Sequence, residues 1–143
     1  MIRTDKEYNE LKQRMSQSAA LLEKQRKHLQ EQGLTKAQVD RAMAPTISFQ
    51  KQQLEELESY ERLKKGEIPH SFYSFNSIGA LLIGARIARG WTQKELADHL
   101  GVSESVVSRD EKNEYHGITA QRAERICEAL KLSVKFHAEL SAV

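Results

Sequence analysis

The sequence lacks several features that whole classes of protein require. A single cysteine, Cys127, excludes an internal disulfide framework, and its place in a helical pattern favours a core thiol over a redox or catalytic one. No apolar run reaches about 18 residues, so no transmembrane helix is expected. The stretch Met1–Lys6 has no apolar core, so no secretory signal is expected either. These absences predict a cytoplasmic protein without a membrane partner.

Residue patterns that carry chemistry are also missing. Five histidines are scattered without the spacing of metal ligands: His28, His70, His99, His116 and His137. Gly79 and Gly84 lie inside a helical pattern instead of after a strand, so they form no phosphate-binding loop. The serines in 103–108 lack a His–Asp arrangement and are explained by helix capping and helix surface. We therefore expect no catalytic residue, no metal, no cofactor and no enzyme.

Positive charge is scarce for a protein that would bind nucleic acid. The net charge is only +2. Residues 1–66 hold 13 Lys/Arg against 10 Asp/Glu, whereas residues 67–143 hold 9 against 10. Because phosphate neutralisation supplies most non-specific affinity for DNA, this balance argues against tight binding.

Long helices are predicted over residues 1–66. The first is capped by Thr4 or Asp5 and runs to about Gln32, with Gly33 as its stop. Its apolar stripe follows alternating spacings of three and four, as in a coiled coil: Tyr8, Leu11, Met15, Ser18, Leu22, Gln25 and Leu29.

A short helix from Thr35 to Met43 is expected next, with a break at Ala44-Pro45. A second long helix would then cover 46–65, with a stripe of five residues: Ile47, Leu54, Leu57, Tyr60 and Leu63. Two such helices form an αα-hairpin with little core of its own. We expect the hairpin to pack on a partner chain or on the C-terminal domain; a solvated spacer is the alternative.

Two further segments flank the C-terminal domain. Residues 67–76 form a linker, because Pro69 biases the preceding residue away from helix. The aromatic run 72–75 is expected to dock on one of the domains, with a stacking platform for nucleobases as the alternative. The tail 133–143 contains an alternating pattern over 133–140 that predicts a strand. A lone strand needs a partner, which a second subunit related by two-fold symmetry would supply; a frayed tail is the alternative.

The most informative stretch is 90–112, which predicts two short helices separated by one glycine. Thr92 is a good N-cap, and Glu95 completes a capping box. Gly101 ends the first helix where φ > 0 is needed, and Ser103 caps the second. This layout is a helix-turn-helix, whose second helix enters the DNA major groove. Further helices are expected over 78–89 and 119–130.

Five segments of the C-terminal half share one pattern: Arg86-Ile87-Ala88-Arg89-Gly90, Thr92-Gln93-Lys94-Glu95-Leu96-Ala97, Leu100-Gly101-Val102-Ser103, Val106-Val107-Ser108-Arg109 with Glu111, and Ala129-Leu130-Lys131-Leu132. Through these segments, residues 78–132 resemble the Cro/lambda-repressor-like (XRE-type) helix-turn-helix domain. The upstream helices also resemble an extension found in small bacterial regulators and antitoxin-like proteins. The expected fold is all-α, with a helical hairpin over 1–66 and a five-helix domain over 77–132. The resemblance also implies a homodimer on a palindromic operator.

The same resemblance implies roles for individual residues. Base edges would be faced by Glu104, Ser105 and Arg109, since arginine can make a bidentate contact to guanine. Glu104 departs from the neutral residue common at its position: its carboxylate could accept from cytosine N4 or could serve only as a helix-start charge.

The remaining implied roles are structural or concern the DNA backbone. Backbone contacts would come from Thr92, Gln93, Lys112 and, in the following loop, His116; Gln93 would also brace the recognition helix. Arg86 and Glu111 would form a partly buried ion pair, with a solvated surface arginine as the alternative for Arg86.

Three functions remain in consideration. The leading hypothesis is a sequence-specific transcriptional regulator, a repressor that binds double-stranded DNA as a homodimer. The second is an antitoxin that autoregulates its operon and captures a toxin-like protein through the hairpin or the terminal strand. The third is a protein-interaction module that does not bind DNA.

Overall fold

The computed structural model describes residues 1–68 and 77–136, and within these ranges every regular element is an α-helix. The all-α prediction is confirmed for the described residues. The chain divides into two compact units, Met1–Arg62 and Leu63–Val143. The helices are α1 Asp5–Glu31, α2 Lys36–Lys64, α3 Ile78–Ala88, α4 Gln93–Leu100, α5 Glu104–Lys112 and α6 Ala120–Ala129.

Helix α1 begins where the sequence predicted. The side chain of Thr4 accepts a hydrogen bond from the backbone N–H of Glu7 and caps the helix. The predicted stripe is buried or half-buried except at Gln25, which is exposed, while Arg26 is half-buried in its place. The expectation at Gln25 was wrong because a helix of 3.6 residues per turn drifts away from a strict heptad repeat.

Helix α2 is continuous through Pro45, so the predicted break at 44–45 was wrong. Proline removes one backbone donor and crowds the carbonyl four residues earlier. Pro45 and Arg41 are both exposed, so water can reach the backbone groups at that point. Buried residues on either side, Met43 and Leu57, hold the helix together.

This continuity changes which residues of α2 face inward. Val39 and Met43 are almost fully buried and set the phase of the stripe, which continues through Gln50 to Leu57 and Tyr60. Two residues predicted to be in the stripe are exposed instead: Ile47 at 42% and Leu54 at 47%. The helical phase is set by the buried Val39, not by Ile47. With this phase, Ile47 and Leu54 lie beside the inward positions.

Three hydrogen bonds show that α1 and α2 run antiparallel. Near one end, the Tyr60 hydroxyl donates to Asp5 at 2.9 Å. At the middle, the Gln50 amide donates to Ser18 Oγ at 2.9 Å. Near the α1–α2 turn, Arg26 donates to Asp40 at 3.4 Å. The first unit is therefore an αα-hairpin.

The second unit is built around α3, which is buried along most of its length. Helix α4 packs against α5 and α6, and α3 packs against α6. Fully buried apolar side chains from all four helices form its core: Leu82, Ile83, Leu96, Val107, Ile126 and Leu130. The resemblance implies five helices for this domain. The described residues 77–136 form four helices, α3 to α6.

Other predictions fall partly outside the described residues. The aromatic run 72–75 and the end of the predicted strand, 137–140, lie outside them; the part that is described, 133–136, forms no strand. Among the described helices, none combines the length and apolar character needed to cross a membrane.

Candidate nucleic-acid interface

The turn between α4 and α5 has the geometry that the sequence predicted. Thr92 and Glu95 form both hydrogen bonds of the capping box. The hydrogen bond from the Thr92 backbone N–H also lowers the pKa of the Glu95 carboxyl. Gly101 ends α4 with φ of 68°, a conformation that favours glycine. Ser103 occupies the N-cap of α5, but its hydroxyl lies 2.9 Å from that of Ser105 and does not cap the helix.

Helix α5 presents one exposed face and one buried face. Glu104, Ser105 and Arg109 are exposed, whereas Val107 and Glu111 are buried. Ser105 and Arg109 are four residues apart and therefore neighbours on the helix surface. The three residues expected to face bases are thus accessible from solvent.

The buried face of α5 is held by a charged network at Glu111. The guanidinium of Arg86 donates to both oxygens of this carboxylate, at 2.5 and 2.8 Å. Gln93, at the start of α4, donates its side-chain amide to the same carboxylate at 2.8 Å. Glu111 is fully buried and Arg86 is 3% exposed. The Gln93 side-chain amide, which was expected to contact a DNA phosphate, therefore forms a hydrogen bond within the domain.

The Arg86 side chain also reaches the chain segment before α4. Its Nη1 donates to the carbonyl oxygen of Trp91 at 2.6 Å. Trp91 is half-buried and stacks on His99, with ring centroids 4.1 Å apart. No sequence pattern predicts this stack, because the two residues are eight positions apart on different elements.

A second link holds α5 against α6. Arg122 donates to Asp110 at 2.5 Å, and both side chains are partly exposed. No sequence pattern predicted this pair. Like Arg86, Arg122 is thus engaged within the domain. The domain therefore has fewer cationic side chains available to contact DNA than its composition indicates.

The loop after α5 is fixed by close backbone contact. Glu114 and Tyr115 both have positive φ, 50° and 53°. A Cβ at Gly79 would lie 1.8 Å from the carbonyl oxygen of Glu114, so glycine is required for this approach. His116 is exposed in this loop, four residues after the exposed Lys112. Both residues were expected to contact the DNA backbone.

The described residues contain little that would support other chemistry. Across 1–68 and 77–136, no group of three or more His, Cys, Asp or Glu side chains is placed to hold a metal ion. Burial raises the pKa of the Cys127 thiol, which disfavours the reactive thiolate. His70 and His137 lie outside the described residues.

A family model described as helix-turn-helix matches residues 83–136. These residues form a DNA-binding helix-turn-helix domain. The match confirms the Cro/lambda-repressor-like class of domain predicted from the segments between Arg86 and Leu132. No curated protein and no solved structure matches the chain.

Within the helix-turn-helix domain, α5 occupies the position of the second, recognition helix. Thr92 directly precedes α4, Lys112 is the last residue of α5, and His116 lies in the loop that follows. All three are exposed. In this class of domain the recognition helix enters the major groove and the preceding helix crosses the DNA backbone.

Proposed function

We propose that the chain is a sequence-specific repressor that binds operator DNA as a homodimer. The observation that carries this proposal is the division of α5 into two faces. Arg109 is exposed beside Ser105, while Glu111 anchors the other face through Arg86 and Gln93. A rigidly held helix with an exposed arginine can read guanine, and occupation of a promoter would block transcription.

The residues of the motif take two kinds of role in this proposal. Arg109 and Ser105 contact base edges, and Glu104 accepts a hydrogen bond from cytosine N4. Lys112, His116 and Thr92 contact phosphates, together with the backbone N–H groups at the start of α4, which form a site that favours anions. The phosphate contacts set register, and the base contacts set sequence.

The predicted hairpin over 1–66 serves as the dimerising element, and the domain over 77–132 carries DNA binding. Helix-turn-helix dimers bind half-sites about one helical turn apart or a multiple of that distance. Four large apolar side chains on the two helices are exposed, and they support an interaction role for the hairpin: Leu21, Ile47, Phe49 and Leu54.

Selection of bound sequences from a random DNA pool, followed by gel shift, tests the proposal. The selected sites should be palindromic. Arg109→Ala should weaken binding to the selected site by about 1–3 kcal/mol, roughly 5- to 150-fold, and should relax base choice at one position per half-site. Arg62→Ala removes the same charge from an exposed position outside the domain and should leave base choice unchanged.

The salt dependence separates phosphate contacts from base contacts. Lys112→Ala should weaken binding to all sequences alike and reduce the slope of log K against log salt by about 0.9. Equal binding by the wild type and Arg109→Ala would exclude the base-reading role, and no shift at low salt would exclude operator binding altogether.

A further inference from the structure

The second unit contains a groove that is bordered by four segments: the start of α3, the loop after α5, one side of α6 and the residues that follow α6. Its volume is about 890 Å³, within the range of roughly 300–1,000 Å³ that is typical of small-molecule sites. Half-buried apolar side chains from all four segments line it: Ile78, Ile118, Cys127, Leu132 and Val134. Their partial burial leaves apolar surface that a ligand can cover.

The charged side chains along this groove are mainly acidic. Three exposed glutamates line it, Glu114, Glu124 and Glu128, against one lysine, Lys131, and His116. None of the three carboxylates forms an ion pair with a residue in the described part of the chain. The groove therefore combines apolar surface with negative charge that the described residues do not neutralise.

Helix α6 directs its arginines away from the groove. Arg122 donates to Asp110 of α5, and Arg125 donates to the carbonyl oxygen of Leu100 at 3.3 Å. Neither arginine is among the described residues that line the groove. The basic side chains of α6 therefore serve its contacts with α4 and α5, and its glutamates are left on the groove side.

Glu124 and Glu128 lie one helical turn apart on the groove side of α6. Their Cβ atoms are expected to be about 5–6 Å apart, and like charges at this spacing destabilise a helix. Cys127 lies beside them in the groove wall, and burial, reinforced by the charge of Glu124, raises the pKa of its thiol. A cation held between the two carboxylates would remove their repulsion.

Positive charge lies at the end of the groove beyond α6. Lys131 follows the helix, and Arg89 donates to the carbonyl oxygens of Leu130 and Lys131 at 2.8 and 3.1 Å. Glu124 precedes Lys131 by seven residues, about 10 Å along a helix. The cationic group of a ligand therefore belongs near Glu124, and its apolar part extends towards the far end.

Tyr115 also borders the groove. Its side chain is 5% exposed, and its buried hydroxyl has no hydrogen-bond partner within the described residues. Because buried polar groups are normally paired, this unpaired group is a separate indication, independent of the glutamates, that a further molecule binds in this region.

We propose that the groove binds a small organic cation, with its ammonium group between Glu124 and Glu128 and its apolar body along Cys127 and Leu132. The carboxylates set the sign of the ligand, because an organic anion of the same shape would be repelled by them. The half-buried apolar wall sets its amphipathic character. This site does not depend on the proposed DNA-binding function, since none of these four residues is assigned a DNA contact.

Three eight-carbon probes that differ in charge test the site: 1-octylamine, 1-octanol and octanoate. Each is titrated into the full chain at pH 7, and binding is followed by the chemical shifts of the backbone amides. Octylamine should bind at least about tenfold more tightly than octanoate, because only the cation complements the carboxylates. The amides that shift should lie within residues 114–134.

A double variant tests the carboxylates directly. Glu124→Gln with Glu128→Gln removes both charges and keeps the side-chain shape, so octylamine should bind about tenfold more weakly, while octanol binding should change less than about threefold. Glu55→Gln with Glu58→Gln removes the same charge from exposed positions of α2 and should leave all three affinities within about threefold of wild type. Circular dichroism checks that both double variants keep their helix content.

Each remaining outcome overturns the assignment. Equal binding of octylamine and octanoate, octylamine binding that survives the Glu124 and Glu128 substitutions, or shifts confined to other residues would exclude this cation site. Binding of none of the probes, together with altered sedimentation of the Glu124 and Glu128 double variant, would show that a second copy of the chain occupies the groove instead. All of these results leave the reading of DNA by Arg109 to be decided by gel shift alone.

Discussion

Gln93 donates its side-chain amide to Glu111 across 2.8 Å, and the same carboxylate accepts both donors from Arg86. One buried carboxylate therefore joins α3, α4 and α5. The angle of the recognition helix depends on this polar contact as well as on the apolar core. Because the network is buried, each member is costly to remove alone.

Glu111→Ala should lower the free energy of unfolding by about 3–5 kcal/mol, because it leaves the Arg86 charge buried without its partner. Urea unfolding followed by circular dichroism measures the change. The double variant Arg86→Met with Glu111→Met removes both charges and should cost less than Glu111→Ala. A cost of less than about 1 kcal/mol for Glu111→Ala would mean that water replaces the carboxylate.

Gly79→Ala should destabilise the helix-turn-helix domain by about 1–3 kcal/mol or more. Its Cβ would lie 1.8 Å from the carbonyl oxygen of Glu114, a backbone atom in a loop with positive φ. The backbone must move, because a carbonyl cannot rotate away as a side chain can. Thermal unfolding measures the effect.

Gly84→Ala is the matched control on the same helix. Its Cβ would lie 3.1 Å from Cδ2 of Leu63, the end of a flexible side chain. Alanine also gains about 0.5–1 kcal/mol over glycine inside a helix. The variant should therefore stay within about 1 kcal/mol of wild type, and equal costs for the two variants would contradict the proposed clash.

Thr92→Ala should cost about 1 kcal/mol of stability, because its hydroxyl accepts from the Glu95 N–H at 3.1 Å and caps α4. Ser103→Ala should cost less, because the Ser103 side chain makes no cap hydrogen bond to α5. Chemical denaturation of the two single variants compares equivalent positions on the two helices of the motif. A larger loss at Ser103 would show that its hydroxyl does cap the helix in solution.

How much of this arrangement the sequence predicted depends on the range of the interactions. Thr92, Glu95 and Gly101 determine structure within three or four residues of themselves, and they were placed correctly. The exposure of Arg109 follows from helix periodicity alone. The family resemblance added Arg86 and Glu111, 25 positions apart, which no local pattern could have joined.

Elements governed by distant packing were predicted less well. Pro45 indicated a break by local rules, but burial of Met43 and Leu57 on either side holds α2 together. As a result, Ile47 and Leu54 are exposed and do not belong to the inward stripe. Gly79 matters only because of Glu114, which lies 35 positions later, and a single sequence carries no signal for that contact.

The Tyr115 hydroxyl is buried and makes no hydrogen bond within the described residues. Tyr115→Phe should leave stability at about pH 7 unchanged or raise it by up to about 1 kcal/mol, because an unpaired buried polar group is removed. Tyr8→Phe is the control and should be destabilising, since the Tyr8 hydroxyl donates to Glu61. Urea unfolding of both variants measures the difference.

The pH dependence gives a second test of Tyr115. Burial, reinforced by the carboxylates of Glu111 and Asp110, raises the pKa of Tyr115 far above its ordinary value. The folded state therefore keeps the phenol protonated while the unfolded chain ionises it above about pH 10. Stability from this group is present below that pH and is lost as pH rises. Tyr115→Phe should lose less stability than wild type between about pH 8 and pH 10.5, and parallel losses would mean that the hydroxyl reaches water.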